Sequence, residues 1–219
     1  KNGVTILVYT SSPSVIFADH NMENINEDQP YPSRYLAYYP ATKAIAEKLV
    51  LESNCDKLKT TSLRPHLIFG PRDNHLIPRI IARAKQGRII QVGEGKNKVD
   101  IVYVANAAKA HLLAADALKS APYKPAGKAY FISQGDPVVL WDFVSNLIKA
   151  LDLPPIKRKI SYSLANGIAS MIEATFKFFN IQKEPMLTRF LAAELAKSHY
   201  FDISRAKQDF WYIPEISNE

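Results

Sequence analysis

The sequence predicts an α/β fold around a mainly parallel sheet, with a smaller and largely helical region appended at the C-terminal end. Three observations carry that reading. Short β-rich runs alternate with helix-patterned segments as far as Ser133, the order in which strand, helix and strand assemble a parallel sheet. The first of those runs, Val4-Thr5-Ile6-Leu7-Val8-Tyr9, is almost continuously apolar, as a strand covered on both faces must be. In the last third of the chain the pattern becomes mostly helical, over Tyr162 to Phe179 and Leu187 to Lys197.

Taken in order, Val4 to Tyr9 is a buried strand that needs neighbours on both sides. Tyr38 to Glu52 is a helix: Ile45 and Leu49 fall at helical spacing among Ala41, Ala44 and Ala46, and a loop with Pro30 and Pro32 precedes it. Thr60 to Leu63 is a strand that stops at Pro65, and Phe69-Gly70-Pro71-Arg72-Asp73 is a turn into a helix over Leu76 to Lys85. Further strands are predicted at Ile89 to Val92, Val99 to Val104 and Ala129 to Ser133. Helices are predicted at Ala107 to Leu118 and Leu140 to Leu151. Tyr162 to Phe179 and Leu187 to Lys197 are the helical segments of the C-terminal region.

Composition narrows the class of molecule. With 219 residues, 47% of them hydrophobic, the chain can bury a substantial core as one domain or two small ones. The net charge of +7 suits an anionic substrate, a phosphate-bearing cofactor or an acidic membrane face. Nucleic acid is not expected, because the Lys and Arg residues are scattered and no basic run is interleaved with aromatics. Cys55 is the single cysteine, which excludes an internal disulfide and a cysteine-based metal site, and fits a reducing, cytoplasmic setting. The segment Ile160 to Ile181 is interrupted by Asn166, Glu173 and Lys177, so it reads as a core or groove-lining helix. Interfacial membrane contact is compatible with it.

The chemistry concentrates in the first third. Tyr39 and Lys43 stand at i and i+4, so on the predicted helix both project from one face. An unperturbed phenol has a pKa of about 10, too high for easy proton exchange with an alcohol or ketone at neutral pH. A neighbouring cation favours the phenolate and fits the phenol for acid–base work. Ser11 and Ser12 follow the first strand directly, where ligands of open α/β sheets bind, and a hydroxyl there can reach a reacting oxygen. The same serines with Pro13 also read as a simple turn.

These residues lie within longer runs. Leu7-Val8-Tyr9-Thr10-Ser11-Ser12-Pro13-Ser14-Val15-Ile16-Phe17, Tyr39-Pro40-Ala41-Thr42-Lys43 and Leu63-Arg64-Pro65-His66-Leu67-Ile68-Phe69-Gly70-Pro71-Arg72-Asp73 resemble the extended short-chain dehydrogenase/reductases. Within that group the chain is most similar to the 3β-hydroxysteroid dehydrogenase family. Gly93-Glu94-Gly95-Lys96-Asn97-Lys98-Val99-Asp100 with Tyr103-Val104, and Phe131-Ile132-Ser133-Gln134-Gly135-Asp136-Pro137, fit its later segments. The resemblance implies a partial Rossmann-type sheet. Residues 1–70 and 99–135 would be the remaining half of the dinucleotide-binding domain, and 71–98 with 136–219 the substrate-binding region. It further implies that Ser12 orients the substrate oxygen, Tyr39 donates or accepts the proton, and Lys43 favours the phenolate and hydrogen-bonds the nicotinamide ribose. Pro65, His66 and Leu67 would border the nicotinamide ring of NAD or NADP.

The departure from the family is equally specific. Its members begin with a strand, a Gly-x-x-Gly-x-x-Gly turn and a helix whose N-terminus holds the pyrophosphate. None of the eight glycines forms that fingerprint, and Gly93-Glu94-Gly95 reads as a hairpin or loop. The resemblance therefore implies a longer protein whose cofactor-anchoring part lies outside these residues. The relatives it brings forward handle a 3-hydroxy or 3-oxo acid substituted at the adjacent carbon. A bulky, apolar, anionic, lipid-like substrate is expected, with Arg72, and secondarily Arg34, as its cationic contact and with apolar lining from Tyr162 to Phe179 and Met186 to Leu191. A homodimer and peripheral membrane contact are compatible with the resemblance. A sugar-nucleotide epimerase or dehydratase shares the same Ser, Tyr and Lys, although Pro13 and Ser14 stand where a dehydratase usually needs acidic residues beside the serine. A non-catalytic fragment is the third alternative.

Overall fold

A computed structural model of the protein describes residues 3–183 and 185–217. In chain order its elements are β1 (Ile6–Thr10), a 3-10 turn (Pro13–Ile16), β2 (Met22–Ile25), α1 (Tyr38–Glu52), β3 (Lys59–Pro65), β4 (Ile68–Phe69), α2 (Leu76–Lys85), β5 (Ile90–Val92) and β6 (Lys98–Val99). There follow β7 (Val102–Tyr103), α3 (Val104–Ala117), β8 (Lys128–Ile132), β9 (Val138–Val139), α4 (Leu140–Ala150), β10 (Arg158–Ile160), α5 (Tyr162–Phe178), α6 (Arg189–Ala196), β11 (His199–Phe201) and α7 (Ser204–Phe210).

The expected parallel sheet is present, with β3 between β1 and β8. Thr10 stands opposite Leu63, and Leu63 opposite Tyr130. Being central, β3 is buried from Thr60 to Pro65, yet three of those residues carry hydroxyls. Each finds an acceptor: Val50 O for Thr60, Lys128 O for Thr61 and the Glu47 carboxylate for Ser62, at 2.7–2.9 Å. Buried hydroxyls without such partners would weigh against the strand. β3 runs through Pro65 rather than stopping short of it, because a proline in the last position interrupts no further pairing; His66 N takes up the next bond, to Ile132 O. The expected burial of β1 between two neighbours is not met among the described residues: it pairs with β3 alone, and none of its five residues is fully covered.

Three differences from the sequence expectation have local causes. The strand predicted over Val99 to Val104 is broken at Asp100-Ile101, where the Asp100 carboxylate accepts from Phe201 N at 2.9 Å. β6 and β7 then join different sheets, and Val104 already belongs to α3. The C-terminal region is mostly helical, but it includes the short strands β9, β10 and β11, and β11 pairs in parallel with β2, tying the end of the chain to its beginning. Finally, α5 buries only Ala165 and Ala169 and leaves Leu164, Met171 and Phe178 exposed. No helix among the described residues is long and apolar enough to cross a membrane.

Two apolar clusters fill the interior. One gathers Val15, Ile16, Leu63, Tyr130 and Phe131 beneath α1 and α3, and the other gathers Val99, Ile101, Leu140, Trp141 and Val144. Phe190 packs against the first, Leu67 and Phe69 against the second. These three side chains border one cleft, which therefore opens where the two clusters meet.

Candidate active site

That cleft, about 670 Å³ in volume, lies at the C-terminal ends of the adjacent parallel strands β1 and β3. Ends of this kind are where open α/β sheets bind ligands. The chain leaves β1 into Ser11 and Ser12 and leaves β3 into His66 and Leu67, and both exits face the cleft. Ser12, Tyr39, Lys43, Pro65, His66, Leu67 and Arg72, named from three separate stretches of sequence, all line it. Arg34 and the exposed side chains of α5 do not border it.

Ser12 both shapes a turn and faces the cleft. Its Oγ accepts from Ser14 N at 3.2 Å and from Ser14 Oγ at 2.9 Å, capping the 3-10 turn. Because those bonds use its lone pairs, the Ser12 O–H stays available to donate to a ligand oxygen.

Helix α1 delivers the next two residues. Pro40, Ala44 and Glu47 form its buried face, against β3 and the 3-10 turn. Tyr39 and Lys43 occupy the neighbouring face, and Tyr39 is 52% exposed. Lys43 Nζ donates to Thr10 O at 2.9 Å and lies 5.0 Å from the centre of the Tyr9 ring. The Thr10 hydroxyl meets His111 Nε2 at 2.8 Å, and His111 Nδ1 lies 2.7 Å from Ala107 O. Since only an N–H can bond a carbonyl, Nδ1 donates, and in the neutral ring Nε2 accepts from Thr10. A threonine and a histidine that carried no sequence signal thus fix the end of β1 where Lys43 is anchored.

Beneath α1 lies a buried ion pair. Arg64 Nη2 is 2.6 Å from Glu47 Oε1, and Arg64 Nε lies 3.1 Å from Oε2. Tyr31 OH donates to Oε1 at 2.6 Å and Ser62 Oγ to Oε2 at 2.7 Å. Burial pushes the Glu47 carboxyl up, but the Arg64 guanidinium and the Tyr31 hydroxyl outweigh that and hold it below its ordinary value. The pair locks the register of α1 on β3, and so the height of Tyr39 above the sheet.

His66 is buried, and its Nε2 lies 2.6 Å from His199 Nδ1. His199 Nε2 lies 2.9 Å from Glu194 O and must donate to it, so Nδ1 accepts and His66 Nε2 donates. Burial keeps both rings neutral, with His199 lowered to about 4 and His66 depressed by burial and by its partner. Leu67 follows with φ 41°, a left-handed conformation that turns the chain along the cleft floor.

The far rim is the Gly70–Asp73 turn. Asp73 accepts from His75 N, Leu76 N and Ile77 N at 2.7–3.1 Å, capping α2. Those bonds outweigh the effect of burial and lower its pKa. Arg72, exposed and with φ 67°, stands on this rim. Gly70 has φ +137°, and a Cβ there would come within 2.8 Å of Val104 Cγ1 and 3.0 Å of the Tyr103 ring. Gly70→Ala is expected to cost about 1–3 kcal/mol in urea unfolding, from backbone strain and the clash. An unchanged midpoint would show that the turn tolerates a side chain.

The model described as "3-beta hydroxysteroid dehydrogenase/isomerase family" matches residues 1–164. The chain is 46% identical over 220 residues to a 2-alkyl-3-oxoalkanoate reductase of Shewanella oneidensis, covering 97% of this chain and 57% of that protein. It is 36% identical to a sterol-4-alpha-carboxylate 3-dehydrogenase, decarboxylating, of Schizosaccharomyces pombe, covering 100% of this chain and 64% of that protein. Among solved structures, UDP-glucuronic acid 4-epimerase from Bacillus cereus in complex with NAD superposes with a TM-score of 0.67 at 18% identity, over 97% of this chain and 57% of the other. At that identity the likeness concerns the fold, a Rossmann-type α/β arrangement. The chain spans somewhat under two thirds of the length of each of these proteins.

Proposed function

Because the chain belongs to the 3-beta hydroxysteroid dehydrogenase/isomerase family, we propose that its cleft interconverts a 3-hydroxy and a 3-oxo group on a bulky apolar substrate, with NAD or NADP as redox partner. The observation that carries this reading is the convergence of Ser12, Tyr39, Lys43 and Pro65-His66-Leu67 on one cleft at the ends of two parallel strands.

The nicotinamide half of the cofactor fits these residues: Lys43 would hold its ribose, and Pro65 to Leu67 would border its ring. Among the described residues no glycine-rich strand–turn–helix accompanies them to hold the pyrophosphate. When bound, the dinucleotide exchanges a hydride with the carbon that bears the oxygen. The chain's own part is proton handling and position. Ser12 donates a hydrogen bond to the substrate oxygen, and Tyr39 gives it a proton in reduction or takes one in oxidation. Lys43, one helical turn from Tyr39, supplies the positive charge that stabilises the phenolate left behind.

The names of the relatives support a 3β-hydroxysteroid, a 4-carboxysterol or a 2-alkyl-3-oxo acid as substrate. Arg72 on the rim would meet its charged end. In the same reading, residues 1–70 and 99–135 form part of the dinucleotide-binding domain, and 71–98 with 136–219 the substrate region. A cytoplasmic setting, a homodimer and peripheral membrane contact are each compatible with this reading.

The test is to follow NADH and NADPH absorbance with a 2-alkyl-3-oxo acid and a 3β-hydroxysteroid, beside UDP-glucose and UDP-galactose. Turnover of either of the first two is expected. Turnover of the sugar nucleotides alone would replace the reading with an epimerase, and no binding of either dinucleotide would leave a non-catalytic module.

A further inference from the structure

Helix α6 contributes two side chains to the cleft, Phe190 and Glu194, one turn apart on the same face. Packing and hydrogen bonds fix its position. Ala192 and Ala193 are fully buried on its inner face, the Glu173 carboxylate accepts from Arg189 N and pairs with its guanidinium, and Thr188 Oγ1 caps its N-terminus. Phe190 meets Phe17 edge-on at 5.6 Å. At the other end, Glu194 O is bonded to His199 Nε2.

Glu194 is partly buried at the cleft wall, and among the described residues its carboxyl, open to the cleft, has no hydrogen-bond or ionic partner. The other charged and titratable groups of the cleft are engaged elsewhere or make no bond to it. Lys43 is bonded to Thr10 O, Asp73 caps α2, and His66 and His199 are bonded to each other. Arg72, His75 and Tyr39 stand elsewhere on the cleft lining and make no bond to it. A partly buried carboxyl on an apolar wall costs free energy unless something pairs with it. Unpaired groups of this kind in a concave site are aimed at ligands.

We propose that Glu194 is a substrate-binding residue that, in its acid form, donates a hydrogen bond to the carboxylate of a 2-substituted 3-oxo or 3-hydroxy acid. This rests on the oxidoreductase reading above and deepens it, since it makes the cleft prefer acids to the corresponding simple ketones and alcohols. A hydrogen bond between an acid and a carboxylate is among the stronger ones available to a side chain. The ionised form would repel the same ligand. Burial raises the Glu194 carboxyl to about 7, so the donating form persists to neutral pH.

Calorimetric binding to the whole protein of a 2-alkyl-3-hydroxy acid, and of the secondary alcohol lacking its carboxyl group, provides the test. The acid form of Glu194 falls from roughly nine tenths at pH 6 to one tenth at pH 8. The wild-type protein should therefore bind the hydroxy acid about tenfold more tightly at pH 6, and the alcohol equally at both. Glu194→Gln keeps a donor that does not titrate, so its affinity for the acid should stay high and lose the pH dependence. Glu194→Ala should weaken the acid at pH 6 and leave the alcohol unchanged. If wild-type affinity for the acid does not vary, or if the variation persists in Glu194→Gln and so comes from another group, the role of Glu194 is overturned while the oxidoreductase reading stands. Failure of both ligands to bind at either pH would overturn that reading and this inference together.

Discussion

Replacing Tyr39 with Phe is expected to lower turnover of a 3-oxo acid about a hundredfold or more, with thermal unfolding unchanged. The two halves of the expectation have separate grounds. In the proposed reaction the hydroxyl is the proton source for the substrate oxygen, and phenylalanine removes it alone. The ring is 52% exposed and its hydroxyl bonds nothing among the described residues, so its loss leaves no buried partner unsatisfied. Steady-state rates at saturating cofactor, beside a melting curve, check both. Near-normal turnover would transfer the proton to another group.

The largest effect on stability is expected at Glu47. Removing one member of a buried ion pair leaves the other charged and desolvated, and Glu47→Ala should cost about 3–5 kcal/mol in urea unfolding. Glu47 and Arg64 are 0% and 2% exposed, so solvent screens neither. Replacing both by apolar residues of similar volume should recover much of the loss. The pair also has a pH signature. The folded protein holds the Glu47 carboxyl below its ordinary value of 4.5, so in acid the unfolded chain binds the proton first. The stabilisation is complete at neutral pH, starts to fall as pH drops past 4.5, and is gone below the folded-state value. Glu47→Gln should therefore lose less stability than wild type between pH 6 and pH 3. Equal losses would place the acid sensitivity elsewhere.

Much of this molecule could be read without coordinates, for physical reasons. The bounds predicted for α1, Tyr38 to Glu52, match the structure because a proline-rich loop and a long helical pattern enclose it. β1 and β8 were both legible as apolar runs, but only β8 is buried; β1 is partly exposed along its length, so its apolar run overstated its cover. The seven site residues were named through runs of sequence rather than single matches, and the structure brings all seven to one cleft. β2 and β11 were not legible, since three or four residues are too few to display a period of two. The exposed stripe of α5 was expected to line the substrate site, and periodicity could not say which side of that helix faces protein. Glu47 with Arg64, and Glu194 with the cleft, are pairings made across the fold, and no local spacing encodes them.

The one-sided pairing of β1 leaves the described sheet open to extension. Among the described residues no strand covers its outer edge, and Leu7 is 37% exposed. An edge of this kind is a template for a further strand of suitable register, so a strand contributed by other parts of a longer polypeptide would continue the parallel sheet and cover β1 on its second side.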